Sequence, residues 1–358
     1  LMHISKRDGI ETWKSWLIRI IAVLLSLVVC AGVIVALTGL NPIEVYKGIF
    51  DGAIGTKRRA WMTIRDTLVL LCIAVGITPA FKMRFWNIGA EGQVLIGGVT
   101  SAAMMIYLGN SLPPVVLFPL MFLGSAAAAM IWGVIPAFFK AYWNTNETLF
   151  TLMMNYVAMQ IVSYCITFWE NPIGSNTVGI INSATSGGWL PSLFGQKYLL
   201  NILVVALITI LMYIYLKYSK HGYEIAVVGE SQNTARYIGI NVKKVIVRTV
   251  ALSGALCGLA GLLLVAGTDH TISTNTVGGQ GFTAIMVSWL AKFNPLVMAL
   301  TSFLLIFLGR GAGEIATAFR LNESVSDILT GIILFFIIGC EFFVNYKVNF
   351  RPMHKEGK

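Results

Sequence analysis

Long apolar runs separated by short polar breaks make up most of this chain. A helix needs about 20 mainly apolar residues to cross the hydrocarbon of a bilayer. Ten stretches approach that length, near 17–39, 64–81, 88–108, 115–139, 146–169, 198–217, 249–268, 281–291, 295–309 and 327–344. The eighth and ninth are short and divided by Lys292-Phe293-Asn294-Pro295, so a re-entrant hairpin and a pair of tilted, broken helices both fit. Residues 17–39 are too long for a cleavable signal and lack a small-residue cleavage pattern, so they read as a retained first span. The predicted fold class is an all-α polytopic membrane protein with about ten transmembrane helices.

Composition agrees with the pattern. Hydrophobic residues make up 56% of the 358 and charged residues only 12%, about half the share found in soluble domains. Cys30, Cys72, Cys165, Cys257 and Cys340 each fall in a separate apolar run with no C-x-x-C among them. They read as small buried side chains, not as a disulfide framework or a zinc site.

A net charge of +10 fits a nucleic-acid or a membrane partner, and its distribution decides between them. With the N-terminus inside, the outer segments hold eight cations: Lys47, Lys57, Arg58, Arg59, Arg65, Lys197, Arg310 and Arg320. The remaining 18 of the 26 lie inside, so the positive-inside rule favours both termini in the cytoplasm. The Lys57-Arg58-Arg59 cluster runs against that rule locally. Two hydrophilic segments stand out, an external one over 170–197 and an internal one over 219–244, and the whole of 1–358 reads as a single transmembrane domain.

The polar break "FWNIGAEGQVLIGG" (85–98) joins the second and third spans and holds Asn87, Gly89, Glu91 and Gln93. A carboxylate at mid-bilayer costs roughly 2.5–3.5 kcal/mol on insertion scales, so it faces protein or water. Two readings are open: these side chains line a path through the membrane, or they satisfy backbone groups freed where the helix breaks. Asn155, midway through the fifth span, and Gln280 with Phe282 pose the same choice. Gly89, Gly92, Gly97 and Gly98 read either as close-packing positions, like Gly254 and Gly258 in a G-x-x-x-G face, or as a hinge. "TNTVGGQGFTAIMV" (274–287) matches the break in its Gly-Gln pair and in leading into a further span. It lies toward the opposite side, as in the inverted repeats of transporters. His221 and His270 are isolated loop histidines, and Trp86 and Trp189 read as belt residues near an interface.

In the internal segment, Glu230-Ser231-Gln232 precede a short run that ends at Gly239. Ser231 is placed to cap the first turn of a short helix and Gly239 to end it in the left-handed C′ conformation. Ala235 leaves the helix flat, while Arg236 and Tyr237 supply a charge and an aromatic ring. A plug for a partner's groove and an ordinary solvated loop both fit this pattern.

"NIGAEGQ", "TLMMNYVA" (151–158) and "HGYEIAVVGESQNTARYIGI" (221–240) together resemble the permease subunits of bacterial ABC importers. The resemblance is to the superfamily that handles branched-chain amino acids, ribose and related sugars, in its nucleoside-type branch, and it covers roughly 60–345. It implies a type II importer fold with an inverted repeat and a translocation path for nucleosides or simple sugars. It also implies an ATPase-coupling segment drawn from Gly222, Glu224, Gly229, Glu230, Ser231, Ala235, Arg236, Tyr237 and Gly239. Where that family usually has Asn-Pro, this chain has Ser231-Gln232, which removes a pre-organising Pro from the first turn. The implied partners are two ABC ATPase domains, a second and paralogous permease, an extracytoplasmic substrate-binding lipoprotein and membrane lipid, with no nucleic acid. The implied location is the bacterial cytoplasmic membrane.

Independently of the resemblance, the sequence contains no G-x-x-x-x-G-K-[ST], so no P-loop cradles ATP phosphates. The chain is therefore expected to be non-catalytic and to bind no cofactor of its own, with ATP and Mg held by the partner subunits. An ion-gradient-driven transporter using Glu91 is the rival reading. A membrane enzyme would need a cluster of His, Asp, Cys or Ser, and the histidines at 3, 221, 270 and 354 are scattered.

Overall fold

A computed structural model of the chain describes residues 2–6, 11–39, 41–319 and 323–350. Within them the helices are α1 Thr12–Thr38, α2 Pro42–Ile54, α3 Lys57–Lys82, α4 Ala90–Leu108, α5 Pro114–Trp143, α6 Glu147–Trp169 and α7 Leu199–Tyr218. They continue as α8 Lys220–Glu230, α9 Gln232–Tyr237, α10 Val242–Leu264, a π-helical turn Val265–Asp269, α11 Gln280–Leu290, α12 Pro295–Ala318 and α13 Glu323–Asn345. The expectation of an all-helical chain needs one amendment: strands β1 Met2–Lys6 and β2 Tyr346–Phe350 pair antiparallel, Met2 opposite Phe350. The cations Arg7, Arg320, Arg351, Lys355 and Lys358 of the charge count lie outside the described residues.

Among the described residues, seven helices are long and apolar enough to cross a membrane: α1, α3, α5, α6, α7, α10 with its π turn, and α12. α4 has 19 residues, with the polar Glu91 and Gln93 in its first turn. α11 has 11 residues, about 16 Å at 1.5 Å per residue, or half a bilayer. Its neighbour α12 has 24 residues and runs on past 309 to Ala318. The short eighth and ninth runs are thus one half-length and one full-length helix, and Arg310 sits inside α12 instead of in a loop. Lys57, Arg58 and Arg59 likewise form the first turn of α3.

The helices gather into two compact units, Leu1–Thr63 with Leu304–Lys358, and Ile64–Phe303. In the first, α1 packs on α13. Cys30, Ile34, Val45, Ile49, Leu308, Ile315, Leu329 and Ile333 form its core. α2 starts where Asn41 Oδ1 accepts the Ile43 N–H at 3.0 Å and Pro42 supplies the first helical φ.

In the second unit α10 is the central helix, packed on α5 and α4. A Cβ at Gly254 would stand 2.6 Å from the Ala129 carbonyl oxygen of α5. Gly258 meets Ser125 just as tightly, and Gly97 of α4 lies against Gly258. Such approach brings backbones together that any side chain would hold apart, so Gly97, Gly254 and Gly258 are packing positions. The most apolar window of α10 is 78% buried and those of α5 and α7 only 22%. α10 is therefore an interior helix of its unit, while α5 and α7 leave most of their apolar surface uncovered by this chain.

Candidate functional site

The polar break between α3 and α4 is a closed hydrogen-bonded junction. The chain leaves α3 through Arg84, at φ +59°, and turns back with the Phe85 N–H on the Ala80 carbonyl at 2.9 Å. Buried Asn87 and Gln93 exchange amides: Asn87 Nδ2 donates to Gln93 Oε1 and Gln93 Nε2 donates to Asn87 Oδ1, both at 3.2 Å. Asn87 Oδ1 also accepts the Gly89 N–H at 3.2 Å. From α6, Asn155 Oδ1 accepts the Gly92 N–H at 2.8 Å and its Nδ2 donates to the Ile88 carbonyl at 2.9 Å. Thr151 Oγ1 accepts the Ile88 N–H at 3.1 Å. Asn87, Thr151 and Asn155 thus supply donors and acceptors that a broken helix lacks in a waterless medium, and Gln93 holds the Asn87 amide in place.

Glu91 reaches the other polar break. Only 3% exposed, it accepts the Gly279 N–H on Oε1 at 2.8 Å and the Gly281 N–H on Oε2 at 2.7 Å. Gly279, at φ +77°, is the N-cap of α11 and has no side chain to cap with. Glu91 fills that role from a distant part of the chain, and the positive end of the α11 dipole favours its charge. Gly281 has to be glycine for this grip, since a Cβ there would stand 2.5 Å from the Glu91 backbone nitrogen. The two segments matched in the sequence analysis are therefore in direct contact. Of the remaining candidates, the Gln280 amide oxygen is buried with no hydrogen-bond partner among the described residues, and the Phe282 ring is 40% exposed.

Two aromatic features escaped the sequence reading. Trp86, taken there for a belt residue, stacks on Trp289 of α11 with centroids 5.4 Å apart and planes at 16°. Phe81 and Phe293 edge onto that pair. At the other end of the unit, Trp189 stacks on His270 with centroids 3.8 Å apart and planes at 4°. Trp189 Nε1 donates to the Ile181 carbonyl at 2.8 Å, and the Ile181 N–H donates to the His270 carbonyl, also at 2.8 Å. The segment over 170–197 is thereby fixed to the end of α10. Burial, and after it the nearby Lys197 charge, push the His270 imidazole down to about 4. Neither histidine nor tryptophan spacing signals a pair 81 positions apart.

The internal segment folds as two short helices. Ser219 Oγ accepts the Gly222 N–H at 3.0 Å to start α8, and Ser231 Oγ accepts the Thr234 N–H at 3.2 Å to start α9. At the end of α9, the Ile240 N–H meets the Ala235 carbonyl at 2.9 Å and the Gly239 N–H meets Arg236 at 3.0 Å, with Gly239 at φ +84°. That is the Schellman pattern of a helix stopped by glycine. Ala235 is buried among Met83, Phe85, Ile225, Val242 and Val245. Gly222 and Gly229 pack against the backbones of Leu216 and Lys82. Glu224 ties α8 to α10 through Arg248 at 2.8 Å, and that hydrogen bond holds its carboxyl below the usual carboxylate range. These four residues hold the loop in place. Glu230, Gln232, Asn233, Arg236 and Tyr237 face solvent, Tyr237 at 92%.

An all-helical membrane body, half-length and broken helices meeting through buried polar side chains, and a rigid exposed helix between two spans define a multi-pass transport subunit. The chain belongs to the family described as branched-chain amino acid transport system / permease component, whose model matches residues 60–338. It is 30% identical to the guanosine ABC transporter permease protein NupP of Bacillus subtilis, over 90% of this chain and 92% of that one. The glucose ABC transporter permease protein TsgB13 of Haloferax volcanii is 26% identical over 97% and 93% of the two chains. The nucleoside ABC transporter permease protein NupB of Lactococcus lactis is 26% identical over 90% of each. No solved structure matches the chain. The chain is accordingly a permease component of an ABC transport system.

Proposed function

We propose that this chain forms part of the translocation path of an ATP-driven importer for nucleosides, with simple sugars as the second substrate class. The observation that carries the coupling role is α9, six residues fixed at both ends, with Ala235 anchored in the core and Arg236 and Tyr237 presented outward. Two of the three relatives above are named for guanosine or nucleoside, which favours that class over sugar.

In this reading ATP and Mg are held and hydrolysed by two partner ATPase domains that receive α9. A paralogous second permease completes the path, and an extracytoplasmic lipoprotein delivers the substrate. Both termini lie in the cytoplasm, and α4 and α11 join the seven long helices and α13 to make ten membrane segments. α4 and α11, each opening after a polar break and held together by Glu91, are corresponding elements of an inverted repeat. Asn87, Gly89, Glu91, Gln93 and Asn155 form the rigid wall of the path, and Gln280 and Phe282 are the side chains left to meet the cargo.

The test is co-purification from membranes that express all subunits. A tagged wild-type chain retains the ATPase, whereas Arg236→Glu, a surface change that leaves the core intact, releases it. Gly239→Pro does the same by forbidding the positive φ that ends α9. Retention of the ATPase by both variants sinks the docking assignment.

A further inference from the structure

α11 turns two different faces to its surroundings. Gly281, Ala284, Val287 and Ser288 are buried, with Gly281 against Glu91 and Ser288 Oγ 3.1 Å from Thr78 Oγ1 of α3. That is the small-residue face by which a membrane helix packs closely. Phe282, Met286 and Trp289 follow one another at helical spacing on the other face and stay 38–44% exposed. Trp86, 45% exposed, lies flat on Trp289 and lengthens the stripe.

The stripe has a direction. Asn155 lies eight positions past the start of α6, about 12 Å along it, and meets Gly92 beside Glu91, which grips the start of α11. The far end of α11 reaches Trp86, just past the last residue of α3. In the topology proposed above, Phe282 thus stands deep and Trp289 about 10 Å nearer the cytoplasmic boundary.

Close packing does not require this composition. The uncovered side of α7 carries Leu203, Leu207, Ile210 and Leu211, an aliphatic surface that suits fluid acyl chains. α11 places flat and polarisable side chains there instead. Phe81, 2% exposed, braces both indoles edge-on with centroids at 5.8 and 6.1 Å, so the pair is presented in one orientation. At the deep end, the Gln280 amide oxygen is an acceptor still without a donor among the described residues. Fixed, half-open aromatic faces beside an unmet acceptor suit a flat heteroaromatic ring that carries N–H groups. A belt at the membrane interface would account for Trp86 and Trp289, but not for the continuation of the stripe to Phe282 and Gln280.

We propose that Phe282, Met286, Trp289 and Trp86 form a stacking track for the nucleobase of the cargo and give the path its preference for nucleosides over sugars. This inference rests on the nucleoside reading above and adds the residues that recognise the base. Every base has a π-face, so the track accepts purines and pyrimidines alike.

The assembled transporter in proteoliposomes, with the binding protein outside and ATP enclosed, is assayed for uptake of guanosine, cytidine and glucose per retained ATPase subunit. Trp289→Leu, which keeps apolar bulk and removes the flat face, lowers guanosine and cytidine uptake at sub-saturating concentration roughly ten-fold. Trp289→Phe restores most of it, and Phe282→Leu acts like Trp289→Leu. As a second readout, an azidoguanosine is photolysed on wild type during turnover, and the label falls on Phe282, Met286 or Trp289. If wild type accumulates no nucleoside, the nucleoside reading fails and the track with it. If wild type accumulates guanosine, but both leucine variants match it and the label lies outside α11 and Trp86, the track alone is overturned. It is equally overturned if the leucine variants lower only the thermal midpoint or the subunit retention while uptake per assembled transporter is unchanged.

Discussion

At the start of α11, the amides of Gly279 and Gly281 donate to a carboxylate 188 and 190 positions earlier in the chain, in place of a capping side chain of their own. Removing a charged acceptor from two amides costs roughly 3–6 kcal/mol, since hydrogen bonds to charged groups are worth roughly 1.5–3 kcal/mol each. Glu91→Ala is therefore expected to lower the thermal midpoint of the detergent-solubilised protein clearly. Glu91→Gln, which keeps one carbonyl acceptor, should lose about half as much. A midpoint unchanged in Glu91→Ala would mean that the grip contributes nothing. Gly281→Ala should be worse than Glu91→Gln, because its Cβ meets backbone at 2.5 Å and not the flexible end of a side chain. At this scale the sequence marked Asn87, Glu91 and Gln93 as a polar break and left open whether they satisfy backbone groups or line a path. Glycine density and an isolated carboxylate signal a break in a span, but only the fold tells which amides face Glu91. Asn155 illustrates the limit: its amide serves Gly92 and Ile88, more than 60 positions away.

Among the elements, α9 was the most legible, because a serine cap and a glycine stop are local signals that tertiary structure had no reason to override. Ser231→Ala should cost about 1 kcal/mol, read as faster amide exchange confined to residues 232–237. Protection unchanged by the substitution would remove Ser231 from the account of α9. The helices α2 and α8 were missed although Asn41-Pro42 and Ser219 carry the same kind of signal, since neither helix forms a long apolar run. The π turn and the docked segment over 170–197 left no trace in periodicity. That docking carries a pH dependence. The His270 imidazole lies near 4 in the folded chain against 6.5 for a free histidine. The undocked form therefore binds the proton more readily, and docking loses stability as pH falls from about 6.5 to about 4. Trp189 fluorescence should report the loosening over that window, and His270→Gln, which cannot titrate, should flatten it. A wild-type profile flat down to pH 4.5 would contradict the stacked, neutral imidazole.

At the scale of the whole molecule, seven of the ten apolar runs coincide with helices that are long and apolar enough to span, among the described residues, and the pattern misplaced some of their ends. Arg310 ended the ninth run in the sequence reading, yet α12 continues through it to Ala318, because a helix within a protein accepts a charge that faces a polar cavity. The proposed function puts the energy source on other chains; what the family match shows is a permease component. The rival account makes Glu91 an ion-coupling carboxylate. In the structure both its oxygens are occupied by backbone amides of α11, which suits a strut better than a carrier of ions. The most direct test is uptake of radiolabelled guanosine into proteoliposomes that hold this chain, its second permease and the ATPase subunits, with the binding protein outside and ATP enclosed. Uptake that needs hydrolysable ATP, survives a protonophore and disappears with Arg236→Glu is the predicted result. Uptake that proceeds without ATP and collapses with the proton gradient would contradict it.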